Sequence, residues 1–282
     1  MFTNNITQTN SEQSFTHLVI FEEKILLAVD SAQDEIIETI DFEHDSTIVY
    51  GSDAIEKLNN PTSVIIDKED ENSLIICDRG NKRVVRWSRA TKSYDETLEK
   101  DIYCLGLTMG EEGYLYVAEN QYHSIRRYRE AEENYIVVAG GNGMGNDLNQ
   151  LHRPTYLFVD KNQSIYISDT DNHRVMKWFP NASHGIIVAG GRGEGNSLTQ
   201  LSYPTGLFVD SIGTLYISDR GNNRVMRWCN GATQGSLVVG GNGQGNSTNQ
   251  LNWPDGLTLD VHNNLLVADS INRRIQKFEI EK

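Results

Sequence analysis

Three stretches of the chain repeat one another without a gap at a spacing of 50 residues. They are LHRPTYLFVDKNQSIYISDTDNHRVMKW (151–178), LSYPTGLFVDSIGTLYISDRGNNRVMRW (201–228) and LNWPDGLTLDVHNNLLVADSINRRIQKF (251–278). A fourth copy, LNNPTSVIIDKEDENSLIICDRGNKRVVRW (58–87), has two extra residues in its first turn. A fifth, DIYCLGLTMGEEGYLYVAENQYHSIRRY (101–128), keeps the apolar pattern but has Cys104 where the others have proline. A sixth, THLVIFEEKILLAVDSAQDEIIETI (16–40), is the most degenerate. A fixed period of this length marks a stack or ring of like units, each burying its apolar faces on its neighbours.

Within one copy the runs are short. Leu207–Val209, Leu215–Ser218, Arg224–Trp228 and Ser236–Val239 are separated by turn residues, and the last run stops at Gly240-Gly241. Such spacing predicts antiparallel strands, and no segment has helical periodicity. Six copies of four strands predict an all-β chain: a six-bladed β-propeller of four-stranded antiparallel blades. The whole chain, 1–282, then forms a single domain with blades starting near 16, 58, 101, 151, 201 and 251. The last copy lacks a fourth strand, which would leave an unpaired edge. The N-terminal segment Phe2–Thr9 is expected to pair there and close the ring.

Recurrent letters are expected to build the ring. An Asp ends the second strand and an Arg begins the third in Asp78/Arg83, Asp169/Arg174, Asp219/Arg224 and Asp269/Arg274. These pairs suit charge-assisted hydrogen bonds across a hairpin and read as structural staples. Asn81, Asn172, Asn222 and Asn272 precede the arginines by two and suit a left-handed turn. Asp169 and Asp171 resemble the start of a calcium loop, but the later Gly and Glu are missing. The aromatics Trp87, Tyr128, Trp178, Trp228 and Phe278 fill one column and suit packing between blades. The loops AGGNGMGN, AGGRGEGN and VGGNGQGN lead into a proline and a strand, not a helix, so they read as crossings between blades rather than phosphate cradles.

Charge narrows the partners. Acidic residues number 39 against 25 basic, a net charge of −14, and residues 1–60 hold 12 acidic residues against 2 basic. Nucleic acid is therefore a poor partner, although Arg79, Arg153 and Arg220 could form a local basic patch. No apolar run is long enough for a membrane span and no leader pattern is visible, which favours the cytoplasm. The sequons at Asn5, Asn162, Asn181 and Asn246 are no more than chance placement supplies and say nothing of secretion. Cys77, Cys104 and Cys229 lack a C-x-x-C spacing and read as free thiols at small, half-buried positions.

The phrases IYISDTDNHRVMKW, LYISDRGNNRVMRW and LLVADSINRRIQKF, each preceded by P-x-G/Y-L-x-x-D, closely resemble the NHL repeat. The likeness is good over 58–280 and weak over 16–57, and the glycine-loop variant is similar to NHL-repeat proteins of animals. It implies the propeller. It also implies a range of activities: protein recognition, the substrate-binding half of a ubiquitin ligase, RNA binding, receptor-kinase sensing, or an amidating lyase with histidine-bound zinc in the channel. The histidines (His17, His44, His123, His152, His173, His184 and His262) occupy different repeat columns, which speaks against a zinc ring, though His152 and His173 share a blade and could approach.

The expectation is a non-catalytic, monomeric binding or scaffold propeller that takes no cofactor or metal and recognises a protein or peptide. Its alternatives are a ubiquitin-ligase recognition module or a metal-dependent lyase or hydrolase. Residues that vary at the blade-opening loops mark the site: Tyr103, Arg153, Tyr203 and Trp253 before the proline column, Tyr156 two after it, and Arg79 and Arg220 after the Asp. Tyr, Trp and Arg are the residue types that dominate interface hot spots.

Overall fold

The structure is a computed structural model that describes residues 3–8, 15–21, 25–40, 47–50, 56–129 and 134–279. Among the described residues, twenty-four strands form six four-stranded antiparallel sheets. Blade 1 contains β2–β5 (Phe15–Phe21, Ile25–Asp30, Glu35–Ile40, Thr47–Tyr50). Blade 2 contains β6–β9 (Pro61–Ile66, Ser73–Asp78, Arg83–Ser88, Ser93–Lys100). Blade 3 contains β10–β13 (Cys104–Met109, Leu115–Glu119, Ser124–Tyr128, Ile136–Gly140). Blade 4 contains β14–β17 (Pro154–Val159, Ile165–Asp169, Arg174–Trp178, Ile186–Gly190). Blade 5 contains β18–β21 (Pro204–Val209, Leu215–Asp219, Arg224–Trp228, Ser236–Gly240). Blade 6 joins β22–β24 (Pro254–Leu259, Leu265–Asp269, Arg274–Phe278) to β1 (Thr3–Gln8) from the other end of the chain.

That last sheet runs in the order β1-β24-β23-β22, with Thr3 opposite Phe278 and Gln8 opposite Arg274. The ring is thus closed by the N-terminal strand as expected; Phe2 and Thr9 lie outside the described residues. Helical structure among the described residues is limited to three-residue 3-10 turns between the second and third strands, and none is a helix long and apolar enough to cross a membrane.

Period-two alternation sends successive side chains to opposite faces of each blade. In β19, Leu215 and Ile217 pack with Trp228 against blade 4, while Tyr216 packs against blade 6. Both faces are therefore apolar, and the core is divided into six clusters, one at each junction between neighbouring blades. The recurrent aromatics do the same work at each junction. Trp87 packs on blade 1, Tyr128 on blade 2, Trp178 on blade 3, Trp228 on blade 4 and Phe278 on blade 5.

The Asp/Arg pairs are in contact, with Nε–Oδ2 distances of 2.6 Å for Arg83–Asp78 and Arg174–Asp169, and 2.7 Å for Arg224–Asp219 and Arg274–Asp269. Each of the last three also grips the glycine loop that opens its own blade. Arg224 donates to the carbonyls of Asn196, Ser197 and Gln200, Asn222 donates to the carbonyl of Gly195, and Asp219 Oδ1 accepts the Ser202 N–H. Burial pushes the Asp219 carboxyl up, and these donors pull against it. A buried ion pair is tolerable when its remaining lone pairs and protons are satisfied in this way.

Two sequence expectations need correction here. The recurrent asparagines are not the left-handed residues. Asn222 lies inside the 3-10 turn with its amide on Asp219, and the following Asn223 takes φ 52°. Lys82, His173 and Arg273 do the same in blades 2, 4 and 6. Nor are the cysteines all free. Cys77 and Cys104 form a disulfide with Cα atoms 5.7 Å apart, both fully buried. The partner comes from the neighbouring blade, so no local spacing announces it: β7 ends beside the start of β10, where Cys104 replaces the usual proline. Cys229 is free, and exposed rather than half-buried.

Candidate functional site at the channel mouth

The innermost strand of each blade lines the axis. Its first residues come in two rings: Thr16, Thr62, Leu105, Thr155, Thr205 and Asp255, then His17, Ser63, Gly106, Tyr156, Gly206 and Gly256. Three positions of the second ring are glycine because neighbouring inner strands converge; a Cβ on Gly206 would collide with the backbone oxygen of Asp255. Tyr156 was expected on the surface and is buried instead. It reaches across the ring from blade 4, donates its hydroxyl to the backbone oxygen of Thr16 in blade 1, and lies with its ring 5.2 Å from that of His17. Burial holds its phenol well above the usual range.

His17 is pinned in turn. Its Nδ1 accepts the Val64 N–H at 3.1 Å and meets the Ser63 hydroxyl at 3.3 Å, and Ser63 also accepts the Leu107 N–H. Desolvation lowers its pKa to about 4, so the ring is neutral at pH 7. His17 and Tyr156 together floor the axial channel. Nothing in the repeat pattern singles out His17, which belongs to the most degenerate copy.

Above this floor, the blade-opening loops and the second-to-third-strand turns share one face, since successive antiparallel strands return the chain to it. The repeat columns place Arg79 and Arg220 there in blades 2 and 5, on opposite sides of the axis. Arg220 lies 4.7 Å over the Trp253 ring and 3.8 Å from Asp255. Asp255 is almost fully buried; desolvation raises its carboxyl pKa, against the pull of Arg220 and Arg153. Arg153 pairs with Asp171 at 2.9 Å, and His152 approaches the same carboxylate at 3.5 Å. Tyr203 and Trp253 stand 40% and 46% exposed, and Tyr103 carries the Lys82 ammonium over its ring at 4.9 Å. Asp255 and Lys82 were missed, and Asp171 was weighed only as part of a calcium loop. Asp255 alone left a signal, as the only charge in a column otherwise made of threonine and one leucine.

The left-handed residue of one blade anchors the loop of the next. His123 Nδ1 accepts the Arg153 N–H, His173 Nδ1 accepts the Tyr203 N–H, and Asn223 Oδ1 accepts the Trp253 N–H. The loop residues themselves have positive φ: 52° at Arg153, 48° at Tyr203 and 55° at Trp253. These side chains are thus held out over the face on a fixed backbone. His152 and His173 do not converge on each other: His152 packs on His123, and His173 on Tyr203. Among the described residues no three His, Cys, Asp or Glu side chains are grouped to hold a metal ion; His44 lies outside them.

No family model matches the chain, and no curated protein sequence matches it. Solved structures do resemble it. A streptogramin B lyase aligns over 99% of this chain and 98% of its own at TM-score 0.66 and 9% identity. An auxiliary nutrient binding protein from Bacteroides thetaiotaomicron aligns over 96% of this chain and 70% of its own at TM-score 0.73 and 16% identity. Virginiamycin B lyase from Staphylococcus aureus, solved with quinupristin, aligns over 98% of each chain at TM-score 0.64 and 12% identity. At these identities the likeness concerns the fold, and that fold carries both lyases and binding proteins.

Proposed function

We propose that the chain is an NHL-type recognition propeller, without catalytic activity, that binds a protein or peptide on the face carrying the blade-opening loops. One observation carries this reading. The residues that depart from the repeat (Arg79, Tyr103, Arg153, Tyr203, Arg220 and Trp253) share the mouth of a channel that Tyr156 and His17 floor. With Tyr156 reaching across the ring to Thr16 and against His17, the face is offered as a rigid platform. Half-exposed aromatics held on fixed loops lose little entropy on binding, and arginines beside them add directional hydrogen bonds. The resemblance to a nutrient binding protein agrees with a binding role.

The test is capture of partners from a cell extract by the intact chain and by the double variant Tyr203→Ala, Trp253→Ala. The staples and junction aromatics are untouched, so the variant should melt within a few degrees of the parent. Partners retained by the parent and lost by the variant support the reading; identical capture rejects it.

A further inference from the structure

Of the three arginines at the mouth, one stands without an acidic partner among the described residues. Arg153 is matched by Asp171 at 2.9 Å, and Arg220 by Asp255 at 3.8 Å. The Arg79 guanidinium has no hydrogen bond or ion pair among the described residues; its Nε is buried without a partner, as are those of Arg153 and Arg220.

The repeat explains why. The column after the Asp aims at the inner strand of the next blade: Thr170 donates to the carbonyl of Pro204, and Ser270 to that of Phe15. Arg220 obeys the rule by facing Asp255. Arg79 occupies the same column in blade 2, but the next blade places Leu105 in the position that Asp255 fills. The chain thus keeps the guanidinium and omits its carboxylate. Nothing in folding requires this, because the column accepts Thr170 and Ser270 elsewhere.

We infer that the channel mouth recognises one carboxylate presented by an acidic peptide segment, with Arg79 as the anchor and Arg153 and Arg220 beside it; this rests on the proposed binding face. A planar guanidinium takes a carboxylate through two parallel hydrogen bonds. A monoanion is enough to pair with Arg79, whereas Asp171 and Asp255 would repel a dianion. A long polyanion such as RNA would also have to cross a molecule of net charge −14.

The carboxylate can come from a side chain or from a peptide C-terminus, and the probes separate the two. They are three fluorescein-labelled hexapeptide pools of Gly, Ser, Leu and Tyr. The first has a central Glu and an amidated end, the second a central Gln and a free C-terminus, and the third a central Gln and an amidated end. Anisotropy is measured with the intact chain, its Arg79→Gln variant and the Tyr203→Ala, Trp253→Ala variant. A charged pool should bind at least about ten-fold tighter than the neutral pool, and Arg79→Gln should remove about ten-fold of that affinity. The Arg79 guanidinium makes no hydrogen bond or ion pair among the described residues, so Arg79→Gln should melt within a few degrees of the parent. Equal binding of all pools, no binding of any, an unchanged Arg79→Gln affinity, or tighter binding of a ten-nucleotide oligouridylate each overturns the inference. If the aromatic variant loses its captured partners while Arg79→Gln keeps full affinity, the binding face stands and only the carboxylate falls.

Discussion

At the residue scale, the positions that matter most are those where one copy departs from its siblings. His17 is the clearest. Its imidazole must stay neutral to accept the Val64 N–H, and burial lowers its pKa from 6.5 to about 4. A pKa depressed on folding means that the unfolded chain takes up the proton first. The contribution is complete above about pH 6.5 and is lost as pH falls toward 4, a span worth about 3 kcal/mol. Urea midpoints measured from pH 7 to pH 4 should therefore fall, and the fall should be shallower in His17→Asn, whose amide oxygen can replace Nδ1. Gly206→Ala should lower the melting temperature as well, because its Cβ would press on the Asp255 carbonyl where two inner strands converge. The roles of His17 and Tyr156 were not legible in the sequence. His17 sits in the most degenerate copy, and Tyr156 read as a surface aromatic because a column of letters does not reveal which way a large ring swings.

At the element scale, the legible part was the strand pattern, and the reason is its redundancy. β20 spans Arg224–Trp228 and β21 spans Ser236–Gly240, within a residue of what turn letters alone imply. The staple was legible as a pair but not in its reach. Arg224 ties β20 to the loop 28 and 24 residues earlier, so the motif fastens the incoming blade crossing as well as its own hairpin. Removing the cation would strand the Asp219 carboxylate, which has no exposure. Arg224→Leu should therefore cost about 3 kcal/mol in denaturant melts, and a loss under about 1 kcal/mol would refute the staple. The disulfide was not legible, since its halves meet only once blades 2 and 3 are side by side. Thiol titration of the native, unreduced chain should count one reactive cysteine, Cys229, and three after reduction in denaturant.

At the scale of the whole molecule, the architecture follows from a single constraint. Every blade is apolar on both faces, so each needs two neighbours, and only a closed ring gives the first and last blades a second one. β1 completes blade 6 with strand-to-strand pairing to β24. Deleting residues 1–10 should lower the melting temperature clearly, since it removes that strand and exposes the β24 edge. What the ring leaves free is the mouth, where repetition lapses and exposed aromatics stand among arginines.

Site-directed photocrosslinking locates the partner most directly. A benzophenone amino acid replaces Trp253 at the mouth in one variant. In another it replaces Ile212, which is 81% exposed in the β18–β19 turn on the opposite face. Adducts from position 253 and none from position 212 are what a recognition face at the mouth predicts. Adducts from position 212 alone, or the same adducts from both positions, would contradict it.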